Sequence, residues 1–397
     1  MSDTRIPDTR IPDTRIPPAL PVPVVLAGAR GHGRWHLHNI RRLADAGLVR
    51  LAGICELRPL DADELDGFGR ADGGLPPAQS ADFGALLDTT GARIAVVCTP
   101  IDTHTGLALT AARRGVHLLL EKPPAPSEAA FRRMADGVRD AGVACQIGFQ
   151  SLGSQALPAI AALIEGGAIG DVTGIGAAGA WARDEAYFRR SPWAGKRRMG
   201  DTDVVDGVLT NPLAHAVATA LALDGSPHAE DVTGIELELA RANDIEADDT
   251  SCVRITTARG TRVTAAVTLC AEHPGEPYVM VHGRHGRITL WYKQDRVLVQ
   301  RAGHGPVEHT YGRTDLLENL VRHLTRGDAL LVPPHRTGAF MRVVEAVRTA
   351  PDPHPLPADR WYADEAAGRR IVKGVDALVH ASADTLSLFS ELEANVP

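Results

Sequence analysis

Lys122 is the residue of this chain best placed for chemistry. It stands directly after an apolar run, Val116 to Leu120, that reads as a buried parallel strand, and directly before Pro123. Ligands of open parallel sheets bind beyond the carboxyl ends of the strands. A residue ahead of proline is driven towards extended backbone, so the lysine is aimed at such a crevice. An ammonium there can hold a hydroxyl and stabilise an alkoxide as it forms. Of 42 basic residues only Lys122, Lys196, Lys293 and Lys373 are lysine. A lysine kept in such a composition is one needed as lysine, because a guanidinium cannot give up its proton and an ammonium can be tuned to do so.

A second candidate site lies upstream. Val24 to Leu26 form a short apolar strand that runs into Gly28-Ala29-Arg30-Gly31-His32-Gly33 and then a helix to about Ala46. Strand, glycine turn and helix bring backbone amides and a positive helix end to one point, which is a pyrophosphate site. Gly28 and Gly33 take the outer positions of Gly-x-Gly-x-x-Gly, while Arg30 stands where the middle glycine belongs. Counting Gly31 and Gly33 instead approaches the short-chain dehydrogenase loop. That chemistry needs Tyr-x-x-x-Lys, and none of the five tyrosines has lysine at the fourth position. Glu56 closes a strand from Val49 and can bind the adenosine ribose, which favours NAD. Arg30 and Arg58 can hold a 2′-phosphate, which favours NADP. NAD and NADP both remain open.

The elements that position these residues alternate. Strands are expected at Ile94 to Val97, Val116 to Leu120 and Val143 to Phe149. Helices are expected after Thr103, which is read as a cap, up to Gly115, and from Ser127 to Asp140. This pattern implies an N-terminal doubly wound parallel sheet over residues 22–149. Residues 150–397 read as an α+β unit. A helix spans Ala156 to Glu165, and a strand lies near Val172 to Trp181. Further strands at Ile235 to Leu239, Cys252 to Thr257, Val263 to Leu269, Tyr278 to His282 and Arg287 to Trp291 suggest an open, mainly antiparallel sheet with one face solvated or kept for a partner. Helices near Leu316 to Leu324, Gly338 to Arg348 and Asp364 to His380 close the chain. Residues 1–21 carry three copies of Asp-Thr-Arg-Ile-Pro, whose periodic proline predicts a disordered tail.

Composition excludes several classes. Hydrophobic residues make up 44% and charged residues 23%, and the net charge is -7, so the chain reads as a soluble globular protein with no basic field for nucleic acid. No apolar run reaches the ~18 to 20 residues of a membrane span, and no export signal opens the chain. The five cysteines are odd in number and scattered in apolar runs, so they are expected reduced, in a cytoplasm. The histidines lack ligand spacing, and no metal is expected.

Cys98-Thr99-Pro100, Thr103-His104, Gly115 through Pro124, Gly148-Phe149-Gln150 and Gly166 through Gly170 together resemble the glucose-fructose oxidoreductase, inositol dehydrogenase and MocA family. The order and spacing of these pieces are far more specific than the glycine loop. The resemblance implies that Lys122 sits between nicotinamide and substrate. It also implies that Thr99, Pro100, His104 and Glu121 line the cofactor with the glycine loop, and that Gln150 faces the substrate. The second sheet would then supply the substrate pocket and the surface of a homodimer or homotetramer.

The family's second catalytic element is an aspartate four residues before a histidine. Here the matching pair is Asn211 and His215, so asparagine replaces aspartate. Asn211 and Pro212 also suit a helix N-cap and first turn, which would set His215 one turn inside a helix start as a neutral base. Asp206 or Asp203 is then the carboxylate expected to serve instead. Trp181, Arg183, Tyr187, Trp193 and Arg198 precede this helix, and Trp181, Arg183 and Trp193 are read as a carbohydrate wall. The function expected is hydride transfer between NAD(P) and a secondary hydroxyl or ketone of a sugar, cyclitol or glycoside. Alternatives are a glycosidase acting through transient sugar oxidation, and a non-catalytic dinucleotide and sugar sensor.

Overall fold

The computed structural model describes residues 19–65, 67–68 and 76–393, so the Asp-Thr-Arg-Ile-Pro repeats lie outside the described residues. The first sheet is built from β1 (Val22–Ala27), β2 (Val49–Cys55), β3 (Ala78–Ser80), β4 (Ile94–Val97), β5 (His117–Leu120) and β6 (Cys145–Ile147). Every neighbouring pair is parallel, in the order β3-β2-β1-β4-β5-β6. Helices α1 (Gly33–Asp45), α2 (Phe83–Thr90), α3 (Ile101–Ala112) and α4 (Glu128–Asp140) alternate with the strands. β4 and β5 are buried at every residue, which is why their apolar runs do not alternate. Ala27, Val97 and Leu120 are in register, so Gly28, Cys98 and Glu121 leave the sheet along one carboxyl edge. The order of strands reverses at β1, and that edge is where an open parallel sheet binds its ligand.

Ser127 caps α4 by accepting from the Ala130 amide at 3.2 Å, as its position suggests. Thr103 does not cap α3. The helix begins two residues earlier, after Pro100, and the Thr103 hydroxyl bonds back to the Pro100 carbonyl. The short polar strand β3 and helix α2 have no apolar period long enough to be seen in the sequence.

After β6 come α5 (Ala156–Glu165), β7 (Val172–Ala180), α6 (Glu185–Phe188), the small hairpin β8 (Arg198–Met199) and β9 (Thr202–Asp203), and α7 (Ala214–Asp224). Seven strands follow: β10 (Val232–Arg241), β11 (Thr250–Thr257), β12 (Arg262–Thr268), β13 (Tyr278–Gly283), β14 (Gly286–Trp291), β15 (Arg296–Arg301) and β16 (Val307–Thr310). The chain closes with α8 (Leu316–Arg326), α9 (Gly338–Thr349), β17 (His354–Pro355), β18 (Trp361–Asp364), β19 (Arg369–Val372), α10 (Val375–Thr385) and α11 (Phe389–Glu393). The second sheet has nine strands in the order β16-β15-β14-β13-β7-β12-β11-β10-β17. Six of its neighbouring pairs are antiparallel and two parallel, so the fold is α/β with a mixed, mainly antiparallel second sheet.

One expectation for this half needs correction. The helix expected from Asp364 to His380 is in fact the β18–β19 hairpin followed by α10. Gly368 at φ 58° turns the hairpin, and Gly374 at φ 72° separates it from the helix. The second sheet is packed on both faces near its middle, by α10 on one and α7 on the other. α10 packs on β7 and β12, and Val375, Val379 and Ala383 join Ala178, Cys252, Ala266 and Cys270 in a small apolar cluster. α7 packs on β7, β12 and β13. Cys145, Cys252 and Cys270 are buried and Cys55 and Cys98 partly so, and all five thiols are free. Among the described residues no helix is long and apolar enough to cross a membrane.

Candidate active site

The glycine loop is shaped by contact. Gly28 takes φ 82°, and a Cβ there would lie 2.3 Å from the Cys98 carbonyl oxygen. A Cβ on Gly33 would lie 1.9 Å from the Gly28 carbonyl oxygen. The loop therefore closes on β4 and on itself only with glycine at both positions. Gly31, at φ 57°, stands in open space. Among the described residues the Gly31 and His32 amides have no protein acceptor, and they lie at the start of α1, where an anion is favoured.

Glu56 ends β2 and accepts from the Ala29 and Arg30 amides at 2.6 and 3.1 Å. Arg30, in the middle-glycine position, is folded away from the loop. Its guanidinium donates to Glu64 at 2.9 and 2.7 Å and to the carbonyls of Arg58 and Pro59. Glu64 is thereby held at about 2, well below the usual carboxylate range. The Arg58 side chain is exposed beside this clamp.

At the other end of the crevice, β5 delivers Glu121 and Lys122, and the Lys122–Pro123 peptide is cis. Glu121 is 4% exposed. One carboxylate oxygen accepts from His36 Nε2 and Gln150 Nε2, each at 2.9 Å, and the other from the Lys122 amide at 3.1 Å. Burial pushes this acid up, but the His32 and His36 rings outweigh burial and hold it well below its usual range. Glu121 thus anchors the strand end rather than offering itself to a ligand. Sequence spacing missed the resulting cluster, in which ligand atoms of His32, His36 and Glu121 lie within 4.8 Å of one another. The direct His36–Glu121 hydrogen bond accounts for that approach.

His104 is buried between the loops that follow β4 and β5. Its buried ring joins the Pro123 and Thr99 carbonyls, each at 2.9 Å, so it ties the two loops together. Thr99 bonds Thr103 at 2.6 Å, and Pro100 starts α3.

Lys122 Nζ donates to the Asn211 backbone carbonyl at 2.9 Å and to its side-chain oxygen at 2.7 Å. Asn211 is not a helix cap. α7 begins at Ala214 after Leu213, and Asn211 lies in the turn before it, its side chain committed to the lysine. His215 is therefore within the first turn of the helix and not a turn inside it. The Asn211 amide nitrogen donates to Asp206 at 2.6 Å. Asp206, 6% exposed, also accepts from Arg190 at 3.0 Å and from the Gly195 amide at 2.8 Å. The carboxylate expected to replace the missing aspartate is thus Asp206, one side chain behind Asn211. Asp203 is elsewhere, paired with Arg198 and Arg348. Burial lowers the Lys122 pKa, partly offset by the charges of Glu121 and Asp206.

The aromatic wall is contiguous with this relay. Arg183 lies over the Trp181 and Tyr187 rings at 4.9 and 5.0 Å, and Arg190 over Tyr187 and Trp193 at 3.8 and 4.8 Å. Arg190 is also the partner of Asp206, so the wall and the lysine share one network. Arg198 stands apart from it. Gly179, near the end of β7, packs against Leu213, which brings Trp181 towards the start of α7.

Comparison with known proteins adds to this geometry. A family model described as "Oxidoreductase family, NAD-binding Rossmann fold" matches residues 22–149, and one described as "GFO/IDH/MocA C-terminal domain" matches residues 158–289. A dTDP-3,4-didehydro-2,6-dideoxy-alpha-D-glucose 3-reductase of Streptomyces violaceoruber is 26% identical over 302 residues, covering 76% of this chain and 80% of that protein. A levoglucosan dehydrogenase of Pseudarthrobacter phenanthrenivorans is 28% identical over 137 residues, covering 32% of this chain and 35% of that protein. The fold is similar to that of the WlbA dehydrogenase from Bordetella pertussis, solved with NADH and UDP-GlcNAcA. The TM-score is 0.65 at 22% identity, covering 82% of this chain and 95% of that one.

Proposed function

The chain belongs to the Gfo/Idh/MocA oxidoreductase family, with its NAD-binding Rossmann fold, and we propose that it transfers hydride between NAD and a secondary hydroxyl or ketone of a sugar, cyclitol or glycoside. The observation that carries this reading is Lys122 at the carboxyl edge of β5, with two of its protons given to Asn211 and the third left for a ligand oxygen. Residues 22–149 are taken as the cofactor domain and 150–397 as the substrate domain. The residues of the loop fit a dinucleotide: two glycines where no Cβ can stand, two amides without acceptors, and a carboxylate at the end of β2. Gly28, Gly31, His32, Gly33, Glu56, Arg58, Thr99 and Pro100 would hold it, with Arg30 committed to its clamp and Glu121 and His104 bracing the walls. A nicotinamide bound there supplies or accepts the hydride.

Lys122 then holds the reacting oxygen and exchanges its proton, which its lowered pKa assists. His215 and Gln150 complete the substrate edge. Trp181, Arg183 and Trp193 offer ring faces and a guanidinium to a sugar and its substituents. The relatives act on a deoxyhexose derivative and an anhydrosugar by their names, which supports a carbohydrate here.

Glu56 and Glu64 surround the ribose end with negative charge, and Arg30 is neutralised in their clamp, so NAD is the better fit. A panel of hexoses, deoxyketosugars, cyclitols and anhydrosugars, scored by reduced-nicotinamide fluorescence with each cofactor, tests the reading. The expected result is turnover with NAD favoured over NADP by about tenfold or more in kcat/KM. Tight cofactor binding with no turnover across the panel would point to a sensor. Aglycone release with no net change in reduced nicotinamide would point to a glycosidase.

A further inference from the structure

His215 is enclosed on most sides. Phe149 meets its ring edge-on at 5.4 Å, and Tyr292 stacks on it at 6.3 Å. Ser151 Oγ lies 3.0 Å from Nδ1, and the Thr219 hydroxyl donates to that same oxygen at 2.9 Å. Ser151 is 2% exposed and Thr219 0%. Nε2 has no hydrogen-bond partner among the described residues, and the residue keeps partial exposure.

Counting protons assigns the tautomer. Thr219 spends its proton on Ser151, so Ser151 must place its own elsewhere, and His215 Nδ1 is the acceptor within reach. A proton on Nδ1 would leave the buried Ser151 hydroxyl without an acceptor, which disfavours that tautomer by about tenfold or more. Protonation of both nitrogens is disfavoured as well. Burial, reinforced by the Lys122 charge, pushes the imidazole down to about 3.

We infer that Ser151, with Thr219 behind it, locks His215 as the Nε2–H tautomer, so that the histidine is a fixed hydrogen-bond donor to the substrate oxygen and Lys122 alone exchanges the proton. The inference rests on the reaction proposed above and replaces the general-base role expected for His215. In the reductive direction the carbonyl carbon gains the hydride pair, and the carbon–oxygen π pair moves onto oxygen. That oxygen takes a proton from Lys122 Nζ, which becomes a neutral amine, while the His215 N–H stays bonded to it. Oxidation runs the same steps backwards, starting from the neutral amine. Two donors converging on one oxygen polarise a carbonyl and hold an alkoxide, so the resting site suits a ketone ligand.

Nitrogen-15 NMR of histidine-labelled protein, without substrate, reads the tautomer directly. The His215 signals are identified by their loss in His215→Asn. The expected spectrum has a pyridine-like Nδ1 and a pyrrole-like Nε2, and Ser151→Ala should move both towards averaged values while lowering kcat about tenfold. A protonated Nδ1 in the wild-type protein would overturn the inference, and so would a Ser151→Ala protein with an unchanged tautomer. The wild-type spectrum decides alone if that variant does not fold. A protein with the predicted tautomer but no hydride transfer would overturn the proposed reaction and leave the tautomer assignment standing.

Discussion

Lys122→Ala is expected to lower kcat by about 10³-fold while changing the NAD dissociation constant only a few-fold. In the proposed function the lysine faces the substrate, whereas the glycine loop and Glu56, at the other end of the crevice, would hold the dinucleotide. Removing Nζ takes away both the proton and the charge that holds the oxygen. It also leaves the Asn211 side-chain oxygen without its donor and the backbone carbonyl with only the long bond from the Ala214 amide. Lys122→Arg keeps the charge but cannot give up a proton, so it should recover little of kcat. Steady-state rates beside cofactor titration by fluorescence check this. A variant that loses NAD binding as severely as turnover would move Lys122 from chemistry to cofactor binding.

Asp206→Asn is expected to cost about 2 to 4 kcal/mol of stability and to lower kcat by about 10- to 100-fold. Three donors converge on this buried carboxylate, from Arg190, Gly195 and Asn211. An asparagine turns one accepting oxygen into a donating amide and leaves Arg190 without a carboxylate. The effect on rate comes through Asn211. A carboxylate only accepts, so the Asn211 amide nitrogen must face Asp206 and its oxygen must face Lys122. Without Asp206 the amide nitrogen loses its acceptor, and the side chain that presents its oxygen to the ammonium is no longer held in place. Thermal unfolding and kcat measured together test the account. A variant with lowered stability but full kcat would show that Asp206 braces the fold without orienting the lysine.

The parts of the site that were legible in the sequence are those written locally. The glycine loop, Glu56 and the strand before Lys122 each announce themselves within a few residues, because backbone conformation and burial act at that range. Lys122 and Asn211 are 89 positions apart, and His36 and Glu121 are 85 apart. No periodicity joins such pairs. A signal for Glu121 existed even so: an acid set at the end of a buried strand needs donors, and upstream histidines were the available ones. Asn211 was misleading for a related reason. Asn-Pro before an apolar run is good cap chemistry, but the tertiary demand of Lys122 and Asp206 took the side chain. The stretch from Asp364 was misread because its alanines and arginines suit a helix, while Gly368 and Gly374 in φ-positive turns break it into a hairpin and a later start.

The loss of a direct carboxylate at Lys122 has a physical consequence. An aspartate at position 211 would hold the ammonium charged through direct contact, whereas an amide backed by Asp206 leaves burial to lower its pKa. The exchange moves the lysine towards the range where it can give and take a proton, which is what a lone acid–base group needs once His215 is fixed as a donor.

The central claim, hydride transfer at an oxygen held by Lys122, is tested most directly with nicotinamide deuterated at the transferring carbon and a ketosugar selected from the panel. Mass spectrometry of the alcohol formed should find one deuterium on the carbinol carbon for each nicotinamide oxidised, with Lys122→Ala forming about 10³-fold less of it in the same time. Product formed without deuterium at that carbon, or equal transfer by both proteins, would contradict it.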